Sequence, residues 1–362
     1  MKHIIEAKHP VAALGKHPPQ HPTSLAPVLP ASPQVGFVIV DEESEGQRLD
    51  NFLMRHLKGV PKTYVYRIIR SGEVRVNKGR STADARVHAG DLVRLPPVRM
   101  AEKSPESLAS SAPPRDFEVL FEDEHLLALA KPAGVAVHGG SGVSFGVIEQ
   151  LRKARPQARY LELVHRLDRE TSGILLIAKK RSALTALQDQ FRDRVTGKTY
   201  LALVSMAPGS GPFWPANLKV IDAPLHKYLL PDGERRVKVV GKDDPDGMKS
   251  VTLVKVQKKL AFSSTGSGEK WPAFSLLEVT IKTGRTHQIR VHLASQGGPI
   301  AGDDKYGDFE LNKRLQKVGL KRMFLHAWRL QFDHPASGER VLLELDLPSE
   351  LREFVGKLQP VA

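Results

Sequence analysis

The residues HRLDRETSGILLIAKK (165–180) hold the clearest chemical potential of this chain. One aspartate, Asp168, stands between Arg166 and Arg169. A nearby guanidinium favours the ionised form of a carboxylate. An ionised aspartate at the mouth of a sheet can serve as nucleophile or general base. The same triplet can equally be a surface ion pair. The residues downstream narrow the choice: a Thr-Ser-Gly turn, then the apolar run Ile174-Leu175-Leu176-Ile177. That order predicts a charged loop feeding a buried strand.

The elements around this loop divide the chain into four parts. Residues 1–36 hold seven prolines and the histidines His3, His9, His17 and His21. Such a segment is expected to be a disordered tail. Residues 37–98 form a compact basic module. RLDNFLMRHL (48–57) and TYVYRIIRSG (63–72) have helical spacing, the second ending at Gly72. EVRVN (73–77) and HAGDLVRLP (88–96) predict strands. Residues 99–115, rich in Ser, Pro and Ala, predict a linker. From 116 to 362 helices and strands mix without a repeating period. Helices are expected at 146–154 and 182–192. Strands are expected within 117–131, 199–204 and 275–281, and a hairpin over 323–348. The turn-rich stretch 205–272 predicts hairpins and insertions.

The chain of 362 residues carries 54 Lys+Arg against 40 Asp+Glu, a net +14. A basic surface recruits polyanions by releasing counterions, so nucleic acid is the favoured partner. Half of that excess sits in residues 46–98, with eleven basic and four acidic residues. There is no cysteine, which removes disulfides, thiol nucleophiles and Cys-ligated zinc. No apolar run approaches the ~18 residues of a membrane span, and the expectation is a soluble, cytoplasmic protein. GGSG (139–142) lacks the spacing of a P-loop or dinucleotide fingerprint. His287 and His292 are five residues apart, a spacing that suits neither a helical ligand pair nor one strand face.

The stretch around Asp168 resembles the catalytic signature of the pseudouridine synthases, in the family of large bacterial ribosomal-RNA uridine isomerases. AKPAGVAVHGGSG (130–142), GKTYLALV (197–204), TGRTHQIRVHLASQGGPIAGDDKYG (283–307) and FLHAWRLQFDHP (324–335) match the same family in the same order. SGEVRVNKGR and AGDLVRL within the basic module resemble an S4 RNA-binding domain. VHGGSGVSFGVIEQLR (137–152) points to the subgroup that carries such a domain and modifies several uridines of 23S rRNA.

The resemblance implies an α+β fold. A mixed, largely antiparallel catalytic sheet (116–362) is preceded by a small S4-like α/β RNA-binding domain (37–98). It implies that Asp168 acts on a flipped-out uridine, paired with Arg290, while Tyr200 stacks on the base and can relay a proton. Arg166 fills the gap left by the base or contacts phosphate. Lys62, Tyr64, Arg67, Arg70, Arg75 and Lys78 face RNA. His165 and Lys131 are structural. No cofactor and no metal are implied; the partner is 23S rRNA or a large-subunit precursor, bound by a monomer. Two rivals remain: an RNA glycosidase using Asp168 with Glu170, and a ribosome-assembly factor without catalysis.

Overall fold

The computed structural model describes residues 35–57, 59–98, 112–140, 143–206, 214, 219–262 and 271–361. The expected tail up to residue 34 and most of the linker, 99–111, lie outside the described residues.

The basic module contains β1 (Gly36–Ile39), α1 (Leu49–His56), α2 (Lys62–Arg70), β2 (Arg75–Val76) and β3 (Leu92–Leu95). Its sheet is antiparallel in the order β1-β3-β2. Leu49, Phe52 and Leu53 recur at helical spacing and bury one face of α1 against Val65, Ile68 and Ile69 of α2, with Val74, Val87 and Val93 completing a core of their own. Gly72 has φ +75, and its N–H bonds the Ile69 carbonyl, closing α2 where the sequence places its end. The strand expected over 73–77 is shorter. Asn77 (φ 49) and Lys78 (φ 70) are left-handed, and Val76 and Gly79 exchange two backbone bonds across them. A tight turn of this kind ends the extended run.

The larger part is built on one mixed sheet of eleven strands. In chain order these are β4 (Val119–Glu122), β5 (Leu126–Lys131), β6 (Glu162–Leu163), β7 (Ser172–Ala178), β8 (Gly197–Ser205) and β9 (Lys219–Asp222). A separate hairpin, β10 (Leu225–Leu229) and β11 (Arg235–Val239), follows. The sheet resumes with β12 (Val251–Phe262), β13 (Phe274–Ile281), β14 (Leu325–Asp333), β15 (Arg340–Glu344) and β16 (Leu358–Pro360). The central path runs β16-β12-β13-β8-β14-β7-β5-β4. Every pairing is antiparallel except that of β14 with β7.

The apolar run after the Asp168 loop is explained by where β7 sits. All seven of its residues are buried. Leu175 and Ile177 point to one core; Ile174, Leu176 and Ala178 point to another across the sheet. Helix α3 (Val147–Ala154) covers the first face through Val147, Ile148 and Leu151. Helix α4 (Arg181–Asp193) covers the second through Ala183, Leu184 and Leu187. A strand buried on both faces reads as continuous hydrophobics.

Gly173 (φ +126) lies where β7 runs beside β14. A Cβ there would stand 2.3 Å from the Ala327 carbonyl oxygen, so the close approach of the two strands requires glycine. Helix α5 (Gln288–Ser295) follows β13 as expected. Two further helices, α6 (Phe309–Lys317) and α7 (Ser349–Gly356), were not anticipated from the sequence. The stretch 205–272 is not hairpins alone: β12 belongs to the main sheet, between β13 and β16. Among the described residues no helix is long and apolar enough to cross a membrane.

Candidate active site

The loop between β6 and β7 carries Asp168, and its shape is fixed from below. The Thr171 N–H bonds the Asp168 carbonyl at 3.1 Å, a turn that lifts the side chain out of the sheet. The Arg169 carbonyl accepts from the Gly134 N–H (2.9 Å) and from Nζ of Lys131 (3.1 Å). Lys131 is buried, and its ammonium also donates to the carbonyls of Pro132 (2.8 Å) and Val135 (2.7 Å). Burial pushes its pKa down to about 7, and three carbonyl acceptors satisfy all three of its donors. Lys131 is therefore a structural clamp on the peptide that follows Asp168, as anticipated.

Near the end of the loop, Ser172 ties it to β14. Its hydroxyl donates to Nδ1 of His326 (2.9 Å) and accepts from Arg322 (2.8 Å). Nε2 of His326 donates to the Leu345 carbonyl at 2.9 Å, so the neutral ring carries its proton on Nε2 and leaves Nδ1 to accept. Burial, reinforced by the Arg322 charge, pushes His326 down to about 4. An unfolded histidine titrates near 6.5 and this one near 4, so below pH 6.5 the unfolded chain takes up the proton first. Stability from this group is complete above pH 6.5 and is lost as pH falls towards 4, by roughly 3 kcal/mol in all. Urea unfolding at pH 7 and pH 4.5 checks this. His326→Asn should flatten the acid limb, and an equal slope in both proteins would overturn it.

His165 also has a structural place. Its Nε2 accepts the Leu176 N–H at 3.1 Å, and the ring stacks on Phe191 with centroids 4.8 Å apart.

Asp168, Tyr200 and Arg290 come from a loop, a strand and a helix, yet they line one cleft of about 90 Å³. Arg166, Ile281, Arg285, His287 and Leu325 are among its other lining residues. Tyr200 is paired with Ala327 of β14 on one side and Val279 of β13 on the other. Burial first, and then the charge of Asp168, raise its pKa, so the phenol stays protonated.

The charge pairing differs from the expectation. Arg169 bonds Glu170 at 2.7 Å, not Asp168. Arg290 bonds Asp303 through two nitrogens, at 2.7 and 2.6 Å, and reaches Asp304 at 3.1 Å. Among the described residues Asp168 forms no ion pair and accepts no side-chain hydrogen bond. Arg290 acts on it only through space. Burial opposes the charge of Arg290, and the forked bond to Asp303 outweighs it, keeping the guanidinium cationic. Asp303 is fully buried and also accepts the N–H groups of Lys305 and Tyr306, at 2.8 and 3.0 Å. Glu170, held by Arg169, is not among the cleft residues.

Sequence reasoning missed Asp303 and undervalued His287. His287 caps α5 in a left-handed conformation (φ 52). Its Nδ1 accepts from the Tyr306 hydroxyl at 2.8 Å, which itself accepts the Val237 N–H. Burial lowers its pKa. The signal was present in AGDDKYG, where two acids and a tyrosine follow the arginine-bearing helix. His292, by contrast, is buried against Thr252, Ser250 and the Ala223 carbonyl. The two histidines thus share no site. His226, Asp244 and Asp246 bring ligand atoms within 4.8 Å of one another, and none of the three lines the cleft.

In the basic module, Lys62, Arg67 and Arg70 are exposed on α2, Arg75 is half-buried on β2 and Lys78 is exposed in the tight turn. None of the five forms an ion pair among the described residues. The Arg67 guanidinium lies 4.3 Å from the centre of the Tyr64 ring.

Residues 125–295 match the model of the RNA pseudouridylate synthases, and residues 47–93 that of the S4 domain. The ribosomal large subunit pseudouridine synthase C of Escherichia coli is 48% identical over 334 residues, covering 91% of this chain and 98% of that protein. Its namesake from Pasteurella multocida is 46% identical over 328 residues, covering 90% and 94%. Among solved structures, human RNA Pseudouridylate Synthase Domain Containing 4 superposes with a TM-score of 0.51 at 26% identity, over 67% of this chain and 93% of that one. Human RNA Pseudouridylate Synthase Domain Containing 1 shares the fold, with a TM-score of 0.53 at 23% identity over 68% and 89%. The matched segment contains the Asp168 loop, Tyr200 and Arg290, and near half-identity extends over nine-tenths of the sequence. The chain belongs to the RNA pseudouridylate synthase family.

Proposed function

We propose that this protein isomerises uridine to pseudouridine in large-subunit ribosomal RNA, the 23S molecule or its precursor, at more than one position. It acts in the cytoplasm as a monomer, with no metal or cofactor in the reaction. The observation that carries the reading is a carboxylate without a side-chain partner among the described residues, Asp168, in one small cleft with a protonated phenol and a buried guanidinium. The names of the two bacterial relatives support the substrate.

The reaction breaks the bond from uracil N1 to the ribose C1′ and joins C5 to C1′ after the base turns. A proton leaves C5 and one arrives at N1, so nothing is oxidised. The target base must leave its stack to reach a recessed cleft. Asp168 supplies the attacking carboxylate. Tyr200 presents its ring to the base and can donate a hydrogen bond, while its raised pKa keeps the proton on the phenol. Ile281 and Leu325 give the base apolar contact. Arg290, held by Asp303, presents positive charge where negative charge develops. Arg166, exposed at the rim, takes the space vacated in the RNA or a phosphate. Residues 37–98 dock RNA through Lys62, Arg67, Arg70, Arg75 and Lys78, with Tyr64 among them, and residues 116–362 carry the chemistry. Tethering the two raises the local concentration of the catalytic part on its substrate.

Pseudouridine mapping of 23S rRNA and tRNA, with and without the gene, tests the reading. Loss at two or more 23S positions is expected. Loss confined to tRNA would overturn the substrate. Release of free uracil from treated RNA would favour the glycosidase.

A further inference from the structure

Beside the cleft lies a larger hollow of about 500 Å³, and the two share Arg166, Tyr200 and Arg285. Lys198 stands in it two residues before Tyr200 on β8, hence on the same face of the strand. Only 8% of Lys198 is exposed. Its ammonium lies 5.3 Å from the centre of the Phe191 ring, and among the described residues it has neither a carboxylate nor a hydrogen-bond acceptor. The nearby charge is of the same sign: Arg194, the left-handed C-cap of α4, which also lines the hollow. Burial and Arg194 both disfavour the charged form of Lys198. No carboxylate lines the walls.

An unpaired buried cation is a cost to the fold, and one that a bound anion would remove. The strand that delivers a flipped nucleotide must continue past the cleft on both sides, and each continuation carries a phosphate. The cleft contains the Asp168 carboxylate whereas no carboxylate lines the hollow, so a phosphate is better received in the hollow. We infer that the hollow seats a backbone phosphate of the RNA strand immediately flanking the target uridine, with Lys198 as its direct contact and Arg194 and Arg285 at the rim. This rests on the proposed reading of the cleft as the uridine site.

The test uses the full-length protein with Lys198→Met and Lys198→Arg, and an RNA hairpin containing a target uridine. A second set of hairpins carries one neutral methylphosphonate, either 5′ or 3′ of that uridine. Lys198→Met should raise KM about tenfold, with little change in kcat. The slope of log affinity against log salt should fall by about 0.7–0.9, the share of one phosphate. Lys198→Arg should retain most of the affinity. One of the two methylphosphonates should raise the wild-type KM by the same factor and add nothing to Lys198→Met. Thermal unfolding of Lys198→Met should be unchanged or higher, because an unpaired buried charge has gone. An unchanged KM and salt slope would overturn the inference. So would a lower melting temperature with a matching loss of kcat and no dependence on which phosphate is neutral, which is the signature of a purely structural lysine. Binding is also measured in an Asp168→Asn background. If the wild type makes no pseudouridine while Lys198→Met still weakens binding there, the cleft reading fails and the phosphate seat stands.

Discussion

Asp168→Asn should lower pseudouridine formation by at least about a thousandfold while leaving the protein folded and bound to RNA. The magnitude follows from the proposed role of Asp168 as the group that acts on the reacting atoms. The preserved fold has a structural reason: the Asp168 carboxylate holds no side-chain partner among the described residues, and its loop is anchored through backbone carbonyls instead. Its stability should change by no more than about 0.5 kcal/mol. Release of tritium from C5-labelled uridine in RNA, with filter binding alongside, makes the measurement. Retained release in the variant would remove Asp168 from the chemistry. Loss of release together with loss of binding or fold would remove the specific assignment.

The second large effect belongs to Arg290→Met. Asp303 is fully buried and would be left with two backbone N–H partners and no cation. Breaking a buried pair by removing one partner costs about 3–5 kcal/mol. Asp303, held ionised in the wild type mainly through its bond to Arg290 and against its burial, should then bind a proton more readily. Destabilisation should therefore lessen in acid. Adding Asp303→Asn removes the orphaned charge yet keeps an oxygen for the backbone donors, so the double variant should regain much of the stability. Activity should not return with it, because the positive charge at the cleft is still missing. Recovery of activity in the double variant would show that Arg290 serves only to neutralise Asp303. Urea unfolding and single-turnover rates separate these outcomes.

Asp168, Tyr200 and Arg290 of the cleft were legible in the sequence because each sits on a locally determined element. The apolar run 174–177 had to be a strand, and the turn before it had to present Asp168. Tyr200 opens another apolar run, and Arg290 lies in a stretch that turns helical. Who touches whom was less legible. Asp168 is flanked by two arginines in sequence, yet Arg169 turns to Glu170, and Arg290 finds Asp303 thirteen residues on. Neighbours in sequence alternate sides along an extended loop, whereas a turn after a helix can fold back onto it.

The strand β12 was hidden for a different reason. Its alternation of buried and exposed residues is regular through Val256, then the register shifts between Val256 and Lys258. A bulge breaks the two-residue period that marks a half-buried strand. The adjoining Lys258 and Lys259 then resemble a surface loop. The short helices α6 and α7 bury only two or three residues each, too few for a clear periodic signal.

The bond between Ser172 and His326 joins positions 154 residues apart. It lies at the parallel contact of β7 and β14, the middle of the sheet. Contacts this distant in sequence form late, since loop-closure entropy is lost before they are made. During synthesis the Asp168 loop leaves the ribosome long before the strand that supports it. A nascent chain would therefore be catalytically silent until β14 has emerged. The amino-terminal module has its own core and needs nothing from that late segment. It can hold RNA while the catalytic half is still being made, so the order of translation itself separates grip from reaction.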